Sequence, residues 1–290
     1  MKFLIAIKDK NNESKDVLDI ACRIAEGFSA DFTICYVGKK SQAILETDLA
    51  LTRQSLADWN IYHPGLEVLE WAFCYLKERG FAKNIDFSIE NLIEHNGRVR
   101  MALPKEKNYQ INLVLREGEL LSELNQELKR GNFDIIILGS PNSSRMTHKL
   151  AQFLDTSILF VKNYNINYKY KILLGVDDSK ATKRAIIFST KISKQFLAEI
   201  KNVTVSKTTY IGKDYRNAHN WATKYFKRMK VPFTSKLLGG DPVDEFIQEA
   251  GNDHIIILGK SKGNELIKFF RGSKPIQTAQ KANCPVLLVN

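Results

Sequence analysis

Two stretches of the chain share one pattern: DIIILGSPNSSRMTHKLAQFLDTSILFV at residues 134–161 and HIIILGKSKGNELIKFFRGSKPIQTAQKANCPVLLV at residues 254–289. Each begins with an apolar run that ends in glycine, Gly139 or Gly259, and each closes on a second apolar run. Short apolar runs between polar turns are typical of the buried strands of a parallel sheet. The pattern therefore predicts an α/β fold that the chain contains twice.

The second copy is longer than the first at its carboxyl end. Gly139 and Val161 are 22 positions apart, whereas Gly259 and Val289 are 30 apart. The additional residues include the pair Gly272-Ser273, and a glycine beside a hydroxyl residue is typical of loops that approach a phosphate. This asymmetry predicts one working site, in the second copy, and one structural partner.

The repetition extends over the whole chain. Residues 3–7 and 172–176 are predicted opening strands, each followed by a polar turn and an amphipathic helix. A later helix repeats closely, WAFCYLK at residues 71–77 and WATKYFK at residues 221–227. Its Trp and Tyr are four positions apart on one helical face, which we expect to pack in the core. The alternation predicts two doubly wound, Rossmann-like parallel-sheet domains in tandem.

The boundary between the copies is expected close to residue 163, which gives domains of residues 1–163 and 164–290. The first domain is longer because of two insertions without a counterpart in the second, at about residues 40–65 and 82–110. We expect these insertions to be grown loops, and a lid or a partner surface is the alternative.

Composition excludes several classes of protein. With 290 residues, 44% of them hydrophobic and 26% charged, the chain is long enough for two soluble domains, each with its own core. The first apolar run is too short for a signal peptide, and no stretch has the ~18 apolar residues of a membrane span, so we expect a cytoplasmic protein. The four cysteines are scattered without a CxxC pair, which predicts reduced thiols and no metal site.

The net charge of +11 is concentrated in the second copy. Residues 1–163 contain 21 Lys and Arg against 22 Asp and Glu, whereas residues 164–290 contain 22 against 10. A basic domain attracts nucleotides, nucleic acids or acidic membranes, although a lysine-rich solvated surface is the simpler interpretation. Because the sequence has no arginine-rich run and no patch of interleaved aromatic residues, we expect no nucleic-acid partner.

Polar residues follow the opening strand of the second copy directly, as Asp177-Asp178-Ser179. In open α/β sheets, ligands bind beyond the carboxyl ends of the strands. Asp177 is placed there to accept hydrogen bonds from ribose hydroxyls or from an adenine amino group. Asp and Ser are equally good N-caps of the following helix, and both interpretations stay open.

A second strand end carries Gly259-Lys260-Ser261-Lys262-Gly263, and Gly272-Ser273 follows nine residues later. Glycines allow a backbone to approach a phosphate, and amides at a helix start supply oriented donors. Lys260 and Lys262 would add positive charge. The Gly-Lys-Ser sequence is not part of a P-loop, because His254 occupies the place of the first glycine of that motif.

Together these motifs resemble those of the universal stress protein family. The phosphate-binding pattern of the family is Gly, two residues, Gly, nine residues, Gly, then Ser or Thr. Here Gly259 and Gly272-Ser273 match, Lys262 stands where the second Gly belongs, and Gly263 comes one place late. The turn that begins at Asp177 and the closing CPVLLV also resemble the family. The resemblance covers nearly all of residues 169–290 and is patchier in the first copy.

The resemblance implies an adenine nucleotide, ATP or AMP, bound in the second copy alone. Asp177 would contact the adenine or the ribose, and Gly259, Gly272 and Ser273 would hold phosphates. The full set of implied nucleotide-binding residues is Asp177, Ser179, Gly259, Lys262, Gly263, Gly272 and Ser273. The first copy has Lys8 at the position of Asp177 and lacks the Gly-Ser end of the loop, so we expect no nucleotide there.

The family also pairs through its final strands. The resemblance therefore implies an intrachain pseudo-dimer, formed by residues 157–161 and 285–289, and it leaves a homodimer open. The first hypothesis for function is a cytoplasmic tandem universal stress protein that senses or carries an adenine nucleotide. The alternative is a regulatory module without a nucleotide, in which Lys262 marks a decayed site and the insertions of the first copy dock a partner protein.

Enzymatic activity has little support in the sequence. None of the five histidines is recognisably paired with a Ser or Cys nucleophile, so we predict no catalytic residues. Slow ATP hydrolysis, as in the wider adenine-nucleotide α-hydrolase-like group, is a third hypothesis.

Overall fold

The structure, a computed structural model, describes residues 1–39, 64–88, 91–95, 98–104, 109–208, 211–260 and 273–290. These residues form two compact units, Met1–Ile136 and Ile137–Asn290. Each unit is α/β with mostly parallel strands, which confirms the predicted fold class. No helix in these ranges is long and apolar enough to cross a membrane.

The first unit is built around a parallel sheet. Its elements are β1 (Lys2–Ile7), α1 (Asn12–Phe28), β2 (Asp31–Gly38), α2 (Pro64–Glu78), β3 (Leu92–His95), β4 (Arg98–Ala102), β5 (Ile111–Glu117) and α3 (Leu120–Gly131). The strands β1, β2 and β5 are parallel neighbours in that order. Their apolar residues, such as Phe3, Leu4 and Ile34, are fully buried, which is why these strands have continuous apolar sequences.

The second insertion of the first copy is not a plain loop. Its strand β4 pairs antiparallel with β5, and β3 pairs antiparallel with β4. The expectation of simple loop growth over residues 82–110 is therefore wrong, because part of the insertion extends the sheet. Residues 40–63, most of the first insertion, lie outside the described residues.

The strand β6 (Ile135–Gly139) crosses the boundary between the units. The second unit continues with α4 (Ser144–Phe153), β7 (Ser157–Val161), β8 (Lys171–Gly175), α5 (Lys180–Phe196), β9 (Ile200–Ser206), α6 (Lys213–Met229), β10 (Phe233–Gly239), α7 (Pro242–Ala250), β11 (His254–Gly259), α8 (Lys274–Lys281) and β12 (Val286–Val289). The strand order is β10-β9-β8-β11-β12-β7, and all neighbours are parallel except β12 and β7.

The two closing strands of the sequence repeat pair with each other, as predicted. Phe160 lies opposite Val286, and Ile158 lies opposite Leu288, in an antiparallel ladder. Every residue of β7 and of β12 is buried. The second unit therefore includes α4 and β7 of the first sequence copy. The boundary close to residue 163 describes the sequence repeat and stays a prediction.

One turn shows the repeat at atomic detail. Gly118 and Gly240 follow β5 and β10, with φ angles of +154° and +153°. A Cβ at either position would lie 2.7 Å from a carboxylate oxygen of the following helix, Glu123 or Glu245. Glycine is required at both positions because only it combines this backbone conformation with the close contact.

The helices α5 and α6 lie on one face of the second sheet. The crossovers β8-α5-β9 and β9-α6-β10 step in the same direction along the sheet, and right-handed crossovers then place both helices on the same side. The two helices pack against each other. Their amino-terminal ends thus lie at the edge where β8 and β9 end, the expected position of a ligand site.

Candidate functional site

The turn after β8 is held by its own side chains. The Asp177 Oδ1 atom accepts hydrogen bonds from the Ser179 amide, at 3.0 Å, and from the Thr182 hydroxyl. The Ser179 hydroxyl accepts from the Thr182 amide at 3.2 Å and so caps α5. The capping interpretation is confirmed for Ser179. Among the described residues, no partner is found for the second carboxylate oxygen of Asp177, whose side chain is exposed.

A cleft of about 380 Å³ opens beside this turn, between the amino-terminal halves of α5 and α6. It is lined by residues of the turn and of both helices: Asp177, Asp178, Ser179, Thr182, Lys183, Ile186, Asp214, Asn217, Ala218 and Trp221. The structure therefore places two predicted site residues, Asp177 and Ser179, in one cavity of small-molecule size.

The cleft is acidic and has an aromatic wall. Its carboxylates come from Asp177, Asp178 and Asp214. Burial and the nearby charges of Asp178 and Asp177 raise the pKa of the Tyr215 phenol, which places that side chain in the same acidic environment. Carboxylates and an indole suit a ligand that presents hydroxyl or amino groups and a flat ring, and the carboxylates disfavour a phosphate in the cleft itself.

The contribution of α6 was missed in the sequence. The Trp-Tyr pair was expected in the core, but the Trp221 side chain is 39% exposed and lines the cleft, so that expectation is wrong. Its ring stacks on Tyr225 with centroids 5.4 Å apart, and the Lys183 ammonium lies 5.9 Å from the ring centre. A usable signal was the spacing of Asp214, Asn217 and Trp221, which places them on one helical face.

Close packing explains why residue 259 is a glycine. A Cβ at this position would lie 2.6 Å from the Ala181 carbonyl carbon and 2.7 Å from the Thr182 nitrogen. The backbone of the first turn of α5 therefore packs directly against the end of β11. This contact explains the glycine through helix-to-strand packing, and the phosphate role of Gly259 stays a prediction.

Lys260 is buried and does not face a ligand. Its ammonium donates to the carbonyl oxygens of Ala151 at 3.1 Å, Leu154 at 2.8 Å and Thr156 at 3.3 Å. These carbonyls lie at and just beyond the carboxyl end of α4, where a helix prefers a cation. The expectation that Lys260 lends charge to a phosphate is therefore wrong.

Ser273 precedes α8 and makes no side-chain hydrogen bond to that helix. The neighbouring Lys274 ammonium pairs with the Asp241 carboxylate, and this hydrogen bond lowers the pKa of Asp241. Three further predicted residues, Lys262, Gly263 and Gly272, lie outside the described residues.

The corresponding edge of the first copy differs. Lys8 occupies the position of Asp177, and Lys10 pairs with Glu67 of α2 at 2.9 Å. The Tyr36 ring lies at the carboxyl end of β2, where a Cβ on Gly65 would be only 2.6 Å from it. Burial, with the charges of Asp9 and Glu117, raises the pKa of this phenol. The first copy therefore has an ion pair and a tyrosine where the second has carboxylates.

One histidine contacts a serine, which the sequence did not reveal. The His219 Nε2 atom lies 2.9 Å from the Ser235 hydroxyl, and its Nδ1 lies 3.2 Å from the Thr204 hydroxyl. No carboxylate orients this imidazole within the described residues, so the pair lacks the third member of a hydrolase triad. The described residues also contain no group of three His, Cys, Asp or Glu side chains that could hold a metal ion.

Comparisons with known proteins support the fold. No protein-family model and no curated protein matches the chain. Among solved structures, a universal stress protein from Archaeoglobus fulgidus DSM 4304 is similar over 100% of this chain and 96% of its own, with a TM-score of 0.66 and 14% identity. A functionally unknown protein from Pseudomonas aeruginosa PAO1 is similar over 99% of this chain and 92% of its own, with a TM-score of 0.59 and 15% identity.

At these identities the likeness establishes the fold. Along its whole length the chain has the fold of the A. fulgidus universal stress protein. The resemblance that the sequence predicts is thus confirmed at the level of the fold.

Proposed function

We propose that this chain is a tandem universal stress protein, a cytoplasmic regulator of the stress response that binds one adenine nucleotide, ATP or AMP, in its second copy. The cleft beside Asp177 carries the proposal. Its volume of about 380 Å³ lies within the range of roughly 300–1,000 Å³ that is typical of small-molecule sites. It also lies at the carboxyl edge of the sheet, where open α/β folds bind their ligands.

The charges of the site suggest how the nucleotide lies. The free oxygen of Asp177 accepts a hydrogen bond from a ribose hydroxyl or from the adenine amino group. The phosphates lie away from the carboxylates, towards Ser273 and the first amides of α8. Pro275 has no amide hydrogen, so Lys274 and Ile276 are the donors of that first turn.

The first copy supports the proposal of one site per chain. There Lys8 replaces the carboxylate, and Tyr36 lies at the neighbouring strand end. A nucleotide in the first copy would lose the acceptor for its ribose or base.

The experiment is a titration of the full chain with ATP and with AMP, in which the melting temperature is measured at each ligand concentration. A ligand at 100 times its Kd stabilises the folded state by about 2.7 kcal/mol, so the melting temperature rises. Asp177→Asn keeps the Oδ1 acceptor of the turn but loses the second acceptor, and we expect it to weaken binding by about tenfold.

Asp9→Asn is the matched control, since Asp9 is an exposed carboxylate that follows β1 in the first copy. We expect it to bind like the unmodified chain. An unchanged melting temperature at millimolar ATP and AMP would overturn the proposal.

A regulatory module without a nucleotide is the second candidate. It is favoured by the buried ammonium of Lys260 and by Lys262 in place of a glycine. The same titration separates the two candidates, because the module predicts no response to either nucleotide.

A further inference from the structure

The helices α5 and α6 form a strongly basic surface, called the basic face below. α5 contains five Lys and Arg and no Asp or Glu, and α6 contains five Lys and Arg and one Asp, Asp214. All ten basic side chains are exposed. Because the two helices lie side by side on one face of the sheet, their charges add to one positive potential.

These charges are not neutralised within the described part of the chain. None of the ten side chains forms an ion pair with a carboxylate there. By contrast, Lys201 and Lys236 of the neighbouring strands both pair with Glu249, and those ion pairs lower its pKa. The second copy thus contains lysines whose charge is compensated, whereas, within the described residues, all ten basic side chains of the two helices carry uncompensated charge.

The first copy provides an internal comparison. Its corresponding helices, α1 and α2, contain three Lys and Arg against seven Asp and Glu. The fold therefore does not require basic residues on these helices, and the basic face is a property of the second copy.

An aromatic strip crosses the basic face. Trp221, Tyr225 and Arg228 share one side of α6, with Lys224 next to them, and Lys183 of α5 lies over the indole. The Trp221 side chain is 39% exposed, a large fraction for a tryptophan on a folded domain. An exposed aromatic ring among cations is an arrangement with which proteins bind single-stranded nucleic acids.

We propose that the basic face binds single-stranded nucleic acid. Lys and Arg of both helices contact the phosphates, and one unstacked base lies against Trp221, where it replaces the ammonium of Lys183. The cleft beside Trp221 then offers Asp178 and Asp214 as acceptors for base amino groups. This partner departs from the expectation drawn from the sequence, because the aromatic strip is visible only after α5 and α6 are placed together.

The carboxylates favour nucleic acid over an anionic membrane. Lipid phosphates would be repelled by Asp178 and Asp214, whereas base amino groups donate to them. The two proposals share the cleft and differ in their phosphate contacts, which come from Lys and Arg of the helices for the strand and from Ser273 and the start of α8 for the nucleotide.

The experiment measures binding of the full chain to a fluorescein-labelled single strand of about 15 cytidines, a length that fits sites of 4–16 nucleotides. We expect binding at about 50 mM salt and an affinity that falls steeply as salt increases. Lys224→Gln with Arg228→Gln should reduce the salt slope by about 1.4, at 0.7 per lost phosphate contact. Lys169→Gln with Lys171→Gln removes equal charge from exposed positions outside the basic face and should leave the slope unchanged.

Trp221→Ala provides a second readout. We expect it to lower the affinity roughly 5- to 160-fold, the range for loss of one base stack, without changing the salt slope. Trp221→Phe should recover part of the affinity. Lys224→Gln with Arg228→Gln should leave the response of the melting temperature to ATP and AMP unchanged, so failure of the nucleotide proposal and failure of this one are distinguishable.

Three results would overturn the proposal. The first is absence of strand binding at about 50 mM salt. The second is an equal reduction of the salt slope in the control variant, Lys169→Gln with Lys171→Gln. The third is binding to phosphatidylserine vesicles that depends on Lys224 and Arg228 while the strand does not bind, which would assign the face to a membrane.

Discussion

At the scale of single residues, His219 joins three elements of the second copy through hydrogen bonds. It extends from α6 to the hydroxyl groups of Thr204 on β9 and Ser235 on β10. Ser235 also accepts from the Asn202 side-chain amide at 2.9 Å. The His219 side chain is buried, and this burial lowers its pKa below 6.5. A charged imidazole would lose an acceptor nitrogen in a place with little water.

Stability of the protein should therefore depend on pH through His219. The unfolded chain binds a proton at this residue as the pH falls through 6.5, whereas the folded chain resists protonation until a lower pH. The contribution of His219 to the free energy of unfolding should decrease as the pH falls below 6.5, by at most about 1.4 kcal/mol per pH unit for one proton. Urea unfolding at a series of pH values measures this slope.

His219→Gln should flatten that dependence, whatever its effect on stability at neutral pH. His148→Gln, in α4, serves as the control and should retain the slope of the unmodified chain. An identical slope in the His219→Gln variant would contradict the assignment.

Residue roles that depend on neighbours in the sequence were predictable, and those that depend on the fold were not. Asp177 and Ser179 follow a recognisable strand and precede a recognisable helix, so their placement was inferred correctly. Lys260 was assigned to a phosphate because it lies in the predicted loop. The carbonyls that its ammonium contacts, at residues 151–156, are distant in the sequence and could not be foreseen. Trp221 looked like a core residue because an aromatic spacing of four does not show which helical face is covered.

At the scale of elements, a buried ion cluster holds the β3-β4 hairpin to the first sheet. Arg98 of β4 donates to both carboxylate oxygens of Glu127 in α3, at 2.8 and 2.6 Å. Arg116 of β5 donates to the same carboxylate at 3.2 Å and to Glu123 at 2.7 Å. Arg116 and Glu127 are only 3% and 1% exposed. The described residues of the second copy contain neither such a hairpin nor such a cluster, and Leu238 stands at the position of Arg116.

Removal of Glu127 should destabilise the first unit strongly. Glu127→Ala leaves the buried guanidinium of Arg116 and the partly buried guanidinium of Arg98 without their shared partner, and such losses cost about 3–5 kcal/mol. Denaturant unfolding of the full chain, monitored by circular dichroism, measures the change.

An apolar replacement of Glu127 and of the two arginines that share its carboxylate is the informative control. Because desolvation offsets much of the attraction in a buried ion pair, Arg98→Leu with Arg116→Met and Glu127→Leu should recover most of the lost stability. A triple variant less stable than Glu127→Ala would show that the cluster itself stabilises the hairpin.

The hairpin shows where the element predictions failed and why. The parallel strands were predicted from their apolar runs, since burial on both faces requires such runs. The sequence His95-Asn96-Gly97-Arg98 contains Asn-Gly, the strongest short-range signal for a two-residue hairpin, and it was overlooked. The register, in which His95 lies opposite Arg98, agrees with that signal.

At the scale of the whole molecule, the two sequence copies are joined by an asymmetric contact. Ser140 and Lys260 occupy equivalent places, and their amides donate to the carbonyls of Val161 and Val289 at 2.8 and 2.7 Å. The side chains at the two places differ. The Lys260 ammonium contacts the carbonyls at the end of α4, whereas the short hydroxyl side chain of Ser140 has no ammonium to make such a contact. Because the two copies differ in sequence, the chain makes this contact once. Two identical copies would make it twice.

This contact leads to a prediction about fragments of the chain. A fragment of residues 164–290 has lost β7 from the edge of β12 and all three acceptors of the Lys260 ammonium. Its four-residue apolar edge is then open to pairing, so the fragment should self-associate in a concentration-dependent way. A fragment of residues 137–290, the second compact unit, keeps β7 on β12 and should be monomeric and more stable. Sedimentation velocity over a range of concentrations distinguishes them, and two monomeric fragments of equal stability would show that β7 is dispensable to the second copy.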